Sequence, residues 1–149
     1  MSERPRVLVE GTGSGEVLSL QEPLSFWGGV DAATGEIIDR RHPQVGHTVA
    51  GRVLVMASGR GSSSSSSVLL EAIRNGSAPV AILTLEPDEI LSLGAIVAAE
   101  VYGRSIPVVL LDEATFRGLM TGDHVTVGED GSVKRQSGPC DGLDDTPGG

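Results

Sequence analysis

The residues best suited to chemistry stand in one stretch, Ser58-Gly59-Arg60-Gly61-Ser62-Ser63-Ser64-Ser65-Ser66-Ser67. Gly59 and Gly61 let a backbone turn sharply and approach a ligand closely. An apolar run, Val53-Leu54-Val55-Met56, precedes the stretch and is short enough for a buried strand. Val68-Leu69-Leu70-Glu71-Ala72-Ile73-Arg74 follows, with apolar residues at 68, 69, 72 and 73 on one face of a helix. The serines therefore fall on the first helical turn, whose N–H groups lack intrahelical partners and carry the positive end of the dipole. Such a turn, reached through glycines and with Arg60 beside it, suits an anionic group. The same serines also read as a flexible linker or as a plain helix cap. A linker belongs between two self-sufficient domains, whereas this run lies between a strand and a helix of one domain. A Walker-type phosphate loop is not matched, because no lysine follows Gly61.

Other candidates are sparser. Pro23-Leu24-Ser25-Phe26-Trp27-Gly28-Gly29-Val30-Asp31 holds the only tryptophan and one of two phenylalanines. It reads either as a loop plugging the core or as the wall of a cleft or interface. Asp39-Arg40-Arg41-His42-Pro43 has the composition of a solvated loop, but His42 could carry a proton, since histidine titrates near neutral pH. His47 and His124 read as surface residues. One cysteine, Cys140, and no His-x-x-x-His spacing give no metal site.

The whole chain bounds these readings. Its 149 residues make one domain with room for a core. A net charge of -9 and the lack of a basic stripe argue against nucleic acid as a partner. No apolar stretch reaches the length of a membrane span, and Met1 to Pro5 lack the apolar core of a signal peptide. A lone cysteine cannot form an internal disulfide, which points to a reducing cytoplasm.

Taken in order, Val7-Leu8-Val9 and Glu16–Leu20 read as strands, and Thr34–Ile38 as a turn into a third. Gly46–Met56 reads as a return to strand before the serine run and its helix, which closes at Asn75-Gly76. Pro79–Leu85 is a buried strand, Pro87-Asp88 opens a helix ending at Gly103, and Ile106–Leu111 is another strand. Asp112 caps a helix over Glu113–Met120, and Val125–Val133 is a hairpin turning at residues 128–131. The implied class is α/β, a single domain over residues 1–135 with a β-barrel-like half merged with a βαβ half. Residues 136–149, rich in Gly, Pro and Asp, read as a disordered acidic tail. The serine run then sits at the C-terminal end of a strand, where open α/β sheets hold ligands.

Five of these stretches, in order, resemble a known family: Pro23–Asp31, Thr34–Asp39, His42-Pro43, Gly59–Ser63 and Ala78–Ile82. From about Gly13 to Leu111 the chain is similar to the small subunit, or swivel domain, of the aconitase X hydro-lyases. The resemblance implies a single swivelling β/β/α domain over residues 1–135, with a Gly-Ser-Ser loop whose first serine, Ser62 here, is the catalytic base. Arg60, Gly61, Ser63 and His42 are then the candidate substrate-binding residues. The usual loop continues with arginine; Ser64 stands there instead, which makes Arg60 the candidate for the substrate carboxylate. The resemblance further implies a hetero-oligomer with a large catalytic subunit that carries an iron–sulfur cluster, with no cofactor bound by this chain. The implied substrate is a small hydroxy acid, cis-3-hydroxy-L-proline ahead of phosphomevalonate. A non-catalytic, anion-binding regulatory module using the same loop is the alternative from another class.

Overall fold

The computed structural model describes residues 6–58 and 64–135. Seven strands form one sheet in the order β1-β5-β4-β3-β2-β6-β7, curled into a half-barrel. The strands are β1 (Arg6–Val9), β2 (Gly13–Ser19), β3 (Val53–Met56), β4 (Ala81–Thr84), β5 (Val108–Leu110), β6 (His124–Val127) and β7 (Val133–Arg135). β2, β3, β4 and β5 run parallel through the middle, and β1, β6 and β7 join antiparallel at the flanks. This is the α/β class that the order of elements predicts.

Parallel central strands must be covered on both faces, and their sequences are apolar throughout for that reason. All four residues of β3 are buried. Side chains alternate across a strand, so Leu54 and Met56 join one core while Val53 and Val55 join the other. Leu18, Ile82 and Val108 follow Leu54; Val17, Leu83 and Val109 follow Val53. The first core is closed by α2 (Ser64–Asn75) and α3 (Glu89–Tyr102), the crossovers from β3 to β4 and from β4 to β5. The second is closed by Phe116 of α4 (Glu113–Gly118), by Leu119, and by the β6–β7 hairpin. No helix among the described residues is long and apolar enough to cross a membrane.

The helix ends are set by local chemistry. Asp88 caps α3 by accepting the Leu91 N–H at 2.9 Å, and Gly103 ends it in the left-handed conformation. Asp112 caps α4 through the Thr115 N–H at 2.7 Å. That bond to the carboxylate holds the Asp112 carboxyl below the ordinary aspartate range.

The sequence misplaces the stretch from Thr34 to Gly51. Thr34–Ile38 is not a strand: only single bridges form, Val30 with Ile37 and Glu36 with Thr48. The backbone there divides its bonds, Ile37 N–H going to His47 O and Ile38 N–H to Gly29 O. A ladder needs consecutive bonds to one partner, and this segment has two. Gly46–Arg52 turns rather than extends, so β3 begins only at Val53. The connection from β2 to β3 is thus an irregular excursion, anchored by Leu24, Phe26, Val30, Ile37 and Val49 in the first core. The expected tail, residues 136–149, lies outside the described residues.

α2 and α3 approach closely at Gly94. A Cβ there would lie 2.8 Å from the backbone oxygen of Ser66, in the first turn of α2. Gly94→Ala would gain about 1 kcal/mol in helix propensity, but overpacking typically costs about 1–3 kcal/mol. We expect a net loss, read as a lower urea midpoint; a midpoint equal to or above wild type would mean that α2 can retreat at no cost.

Candidate active site

The parallel strands β2 to β5 all point their C-terminal ends at one edge of the sheet, and β3 is interior to that set. Its exit is tied to its neighbour: the Ala57 carbonyl accepts the N–H groups of both Leu85 and Glu86 at 3.1 Å. Ser58 is the last described residue before Gly59, and α2 begins at Ser64. Arg60, Gly61, Ser62 and Ser63, which the sequence singles out, lie outside the described residues. What the structure defines is the frame on either side of them.

That frame is built on Ser65. The buried stripe of α2 runs Ser65, Leu69, Ala72, Ile73, a spacing of four, seven and eight from the first member. Ser65 thus occupies a core-facing position and is 3% exposed. Its hydroxyl accepts the N–H of Trp27 at 3.1 Å and lies 3.4 Å from Ser25 Oγ. Ser25 gives its own proton to Trp27 O at 3.0 Å, which leaves the Ser65 proton for Ser25. Two serines and the backbone N–H and C=O of Trp27 close a ring of hydrogen bonds between α2 and the excursion.

The ring holds α1 (Phe26–Gly29), a single turn whose inner dihedrals are those of a type II β-turn. Trp27 has φ -74°, ψ 114° and Gly28 has φ 80°, ψ -11°. The positive φ at Gly28 suits glycine. This turn separates two aromatic neighbours. Phe26 is fully buried in the first core, and Trp27 stands 60% exposed beside the first turn of α2. Phe26 fits the reading of this stretch as a plug of the core, and Trp27 does not plug it.

His42 departs from the solvated loop that its neighbours predict. Arg40, Arg41 and Pro43 are exposed, but His42 is 4% exposed. Its Nδ1 accepts the Gln44 N–H at 3.1 Å, so the proton sits on Nε2, which donates to Glu22 O at 2.9 Å. Gln44 completes the clamp, accepting the Gln21 N–H at 2.9 Å and donating to Ser19 O at 2.6 Å. Together they fix the chain from the end of β2 to the Trp27 turn. Sequence reasoning missed Gln44 and Ser65. The i, i+4 stripe of α2 is a signal that could have singled out Ser65, while nothing local marks Gln44. His47 and His124 are exposed, as expected. Among the described residues no group of three or more His, Cys, Asp or Glu side chains could hold a metal ion, so these residues do not fit an iron–sulfur centre.

The Ser65 ring has a direct readout, because Trp27 is the only tryptophan. Ser65→Ala leaves the Trp27 N–H without its acceptor and should cost roughly 1–3 kcal/mol. Fluorescence anisotropy of the folded variant should fall as the turn loosens; unchanged anisotropy would show that the turn is held by other contacts.

Comparison with known proteins agrees with this frame. Residues 2–135 match the model of the aconitase X swivel domain. The chain is 58% identical over 109 residues to the cis-3-hydroxy-L-proline dehydratase of Pseudomonas aeruginosa, covering 73% of this chain and 19% of that protein. It therefore spans about one fifth of the length of that relative and of its Hypocrea jecorina counterpart. It is 37% identical over 131 residues to the phosphomevalonate dehydratase small subunit of Methanosarcina acetivorans, covering 87% of each. In three dimensions it superposes on aconitase X from Thermococcus kodakaraensis with a TM-score of 0.79 at 36% identity, covering 90% of this chain and 97% of the other. With a family model spanning every described residue, a relative matched over 87% of its length and a solved structure matched over 97% of its own, this chain belongs to the aconitase X swivel-domain family.

Proposed function

We propose that this chain is the small subunit of an aconitase X hydro-lyase that dehydrates cis-3-hydroxy-L-proline, working with a larger partner that carries the iron–sulfur cluster. The observation that carries the substrate is the 58% identity to the Pseudomonas dehydratase of that name. Identities to the phosphomevalonate dehydratase small subunits run from 35% to 45%. A second reading, phosphomevalonate dehydratase small subunit, is favoured by length, since this chain covers 87% of the Methanosarcina acetivorans protein.

Removing water from a hydroxy acid breaks a C–H and a C–O bond and forms a carbon–carbon double bond. One group must take the carbon-bound proton, and another must deliver a proton to the departing hydroxyl. In the proposed roles Ser62 takes the carbon-bound proton. A serine alkoxide is unfavourable in water and needs N–H donors and a nearby cation to stabilise it. The N-terminus of α2 supplies the positive end of a twelve-residue helix beside the proposed base. Arg60 supplies the cation and pairs with the substrate carboxylate, and Gly61 and Ser63 shape the turn around it. His42, with both ring nitrogens engaged, supports the substrate side by fixing the segment that leads to Trp27.

The assembled enzyme, assayed with both substrates, tests the reading. Ser62→Ala should lower turnover roughly a hundredfold or more, as for a lost positioned proton carrier, with folding and assembly unchanged. Arg60→Ala should also raise KM, because guanidinium and carboxylate pair through two hydrogen bonds. Near-normal turnover in Ser62→Ala with loss in Ser63→Ala would move the base by one residue. Ligand binding by this chain alone, with no turnover in the assembly, would favour the regulatory module instead.

A further inference from the structure

We infer that the outer face of the β2–β3 excursion, centred on Trp27 and bordered by Arg40 and Arg41, is the docking surface for the larger aconitase X subunit. The inference rests on the reading that such a partner exists. Three backbone segments meet on this excursion. Ile38 N–H bonds to Gly29 O, and Gly46 N–H bonds to Ile37 O, so the Trp27 turn, the residues around Ile38 and those around Val45 are neighbours. Phe26 and Ile37 turn inward to the first core, and their chain neighbours Trp27 and Ile38 are exposed at 60% and 44%. Val45 is exposed as well. This is a cluster of large apolar side chains on irregular backbone, next to the serine run.

Its charge is distinctive in a chain of net charge -9. Arg40 and Arg41 are both exposed, and neither guanidinium has an ion-pair partner among the described residues. Asp39 forms no ion pair with either guanidinium; its carboxylate takes the backbone N–H of Arg41 at 2.9 Å. Tryptophan and arginine are the residues most enriched at interface hot spots, and paired arginines steer an acidic partner during encounter. The partner is therefore a protein surface with an apolar pocket for Trp27, ringed by carboxylates. The Ser65 ring gives the contact a consequence at the site, because the backbone of Trp27 is bonded to the first turn of α2. Seating Trp27 restrains the same turn that follows the proposed base.

A second exposed apolar face, Leu93, Ile96 and Val101 on α3, is the internal control. The full chain and the separately purified large subunit are mixed, and association is followed by Trp27 fluorescence and by biolayer interferometry at two salt concentrations. Trp27→Ala should weaken binding roughly tenfold or more. Arg40→Glu with Arg41→Glu should slow association and remove most of its salt dependence. Leu93→Ser with Val101→Ser should bind as wild type. All the exchanged side chains are exposed, and circular dichroism of each variant checks that it is folded. Wild-type affinity in the Trp27 and arginine variants, with loss in the α3 variant, would move the interface to α3 and overturn the inference. So would a free chain that dimerises through Trp27 while its affinity for the large subunit is unchanged, or turnover lost at unchanged affinity, which would make Trp27 a substrate wall. A complex that forms as described yet dehydrates neither substrate leaves the docking surface standing and removes the proposed function.

Discussion

Ser65 takes the N–H of Trp27 at 3.1 Å from a position in the helix where an apolar side chain would otherwise pack. Burying a hydroxyl is unfavourable unless it is hydrogen-bonded, and here the bond reaches across 38 residues of chain. The irregular excursion has little ladder of its own to hold it. It depends on apolar anchors, on the His42–Gln44 clamp behind β2, and on this one hydroxyl in front. Remove the bond and the excursion remains attached at its core residues and at Ala32, whose carbonyl accepts Asn75 Nδ2 and Ser77 Oγ, but the Trp27 turn loses its tie to the first turn of α2. The placement of that turn therefore depends on a side chain that contributes little to the volume of the core.

The βαβ half was legible because its signals are redundant. β4 and β5 are continuous apolar runs, Asp88 and Asp112 stand one residue before their helices, and Gly76 and Gly103 stand just after theirs with positive φ. Each boundary is marked twice, by periodicity and by a capping residue. The excursion offers no such redundancy. Ile37 and Ile38 are β-branched and read as a strand, yet their bonds run to different segments, a tertiary fact with no local trace. His42 lies between charged and proline neighbours that are exposed, and its burial follows from carbonyls twenty residues away. Arg60, Gly61, Ser62 and Ser63 are candidates by residue type and by resemblance. Of the frame on either side of them, the stripe of α2 marks Ser65, while Ser25 and Gln44 leave no local trace, because their bonds join segments distant in sequence.

The two-sided core explains how the same domain can be matched in proteins of very different length. Sheet, helices and hairpin enclose both apolar faces within residues 6–135. The Pseudomonas relative carries the matching stretch within a chain about five times as long, whereas the Methanosarcina small subunit matches nearly end to end. A domain that covers both of its own faces does not depend on covalent attachment for its core.

The serine run has an unusual informational property. Six identical side chains precede Val68, and the buried site on α2 belongs to whichever serine stands four residues before Leu69. Inserting or deleting one serine rotates everything upstream by about 100° around the helix axis. A serine nevertheless returns to the buried site, with the same hydroxyl to meet Trp27. The chemistry of that position is therefore indifferent to a slip of one residue. The number of residues between the end of β3 and the helix is not, since the glycines and the arginine are carried along with the slip. In most segments the order of side chains is the message; in this one it is the count.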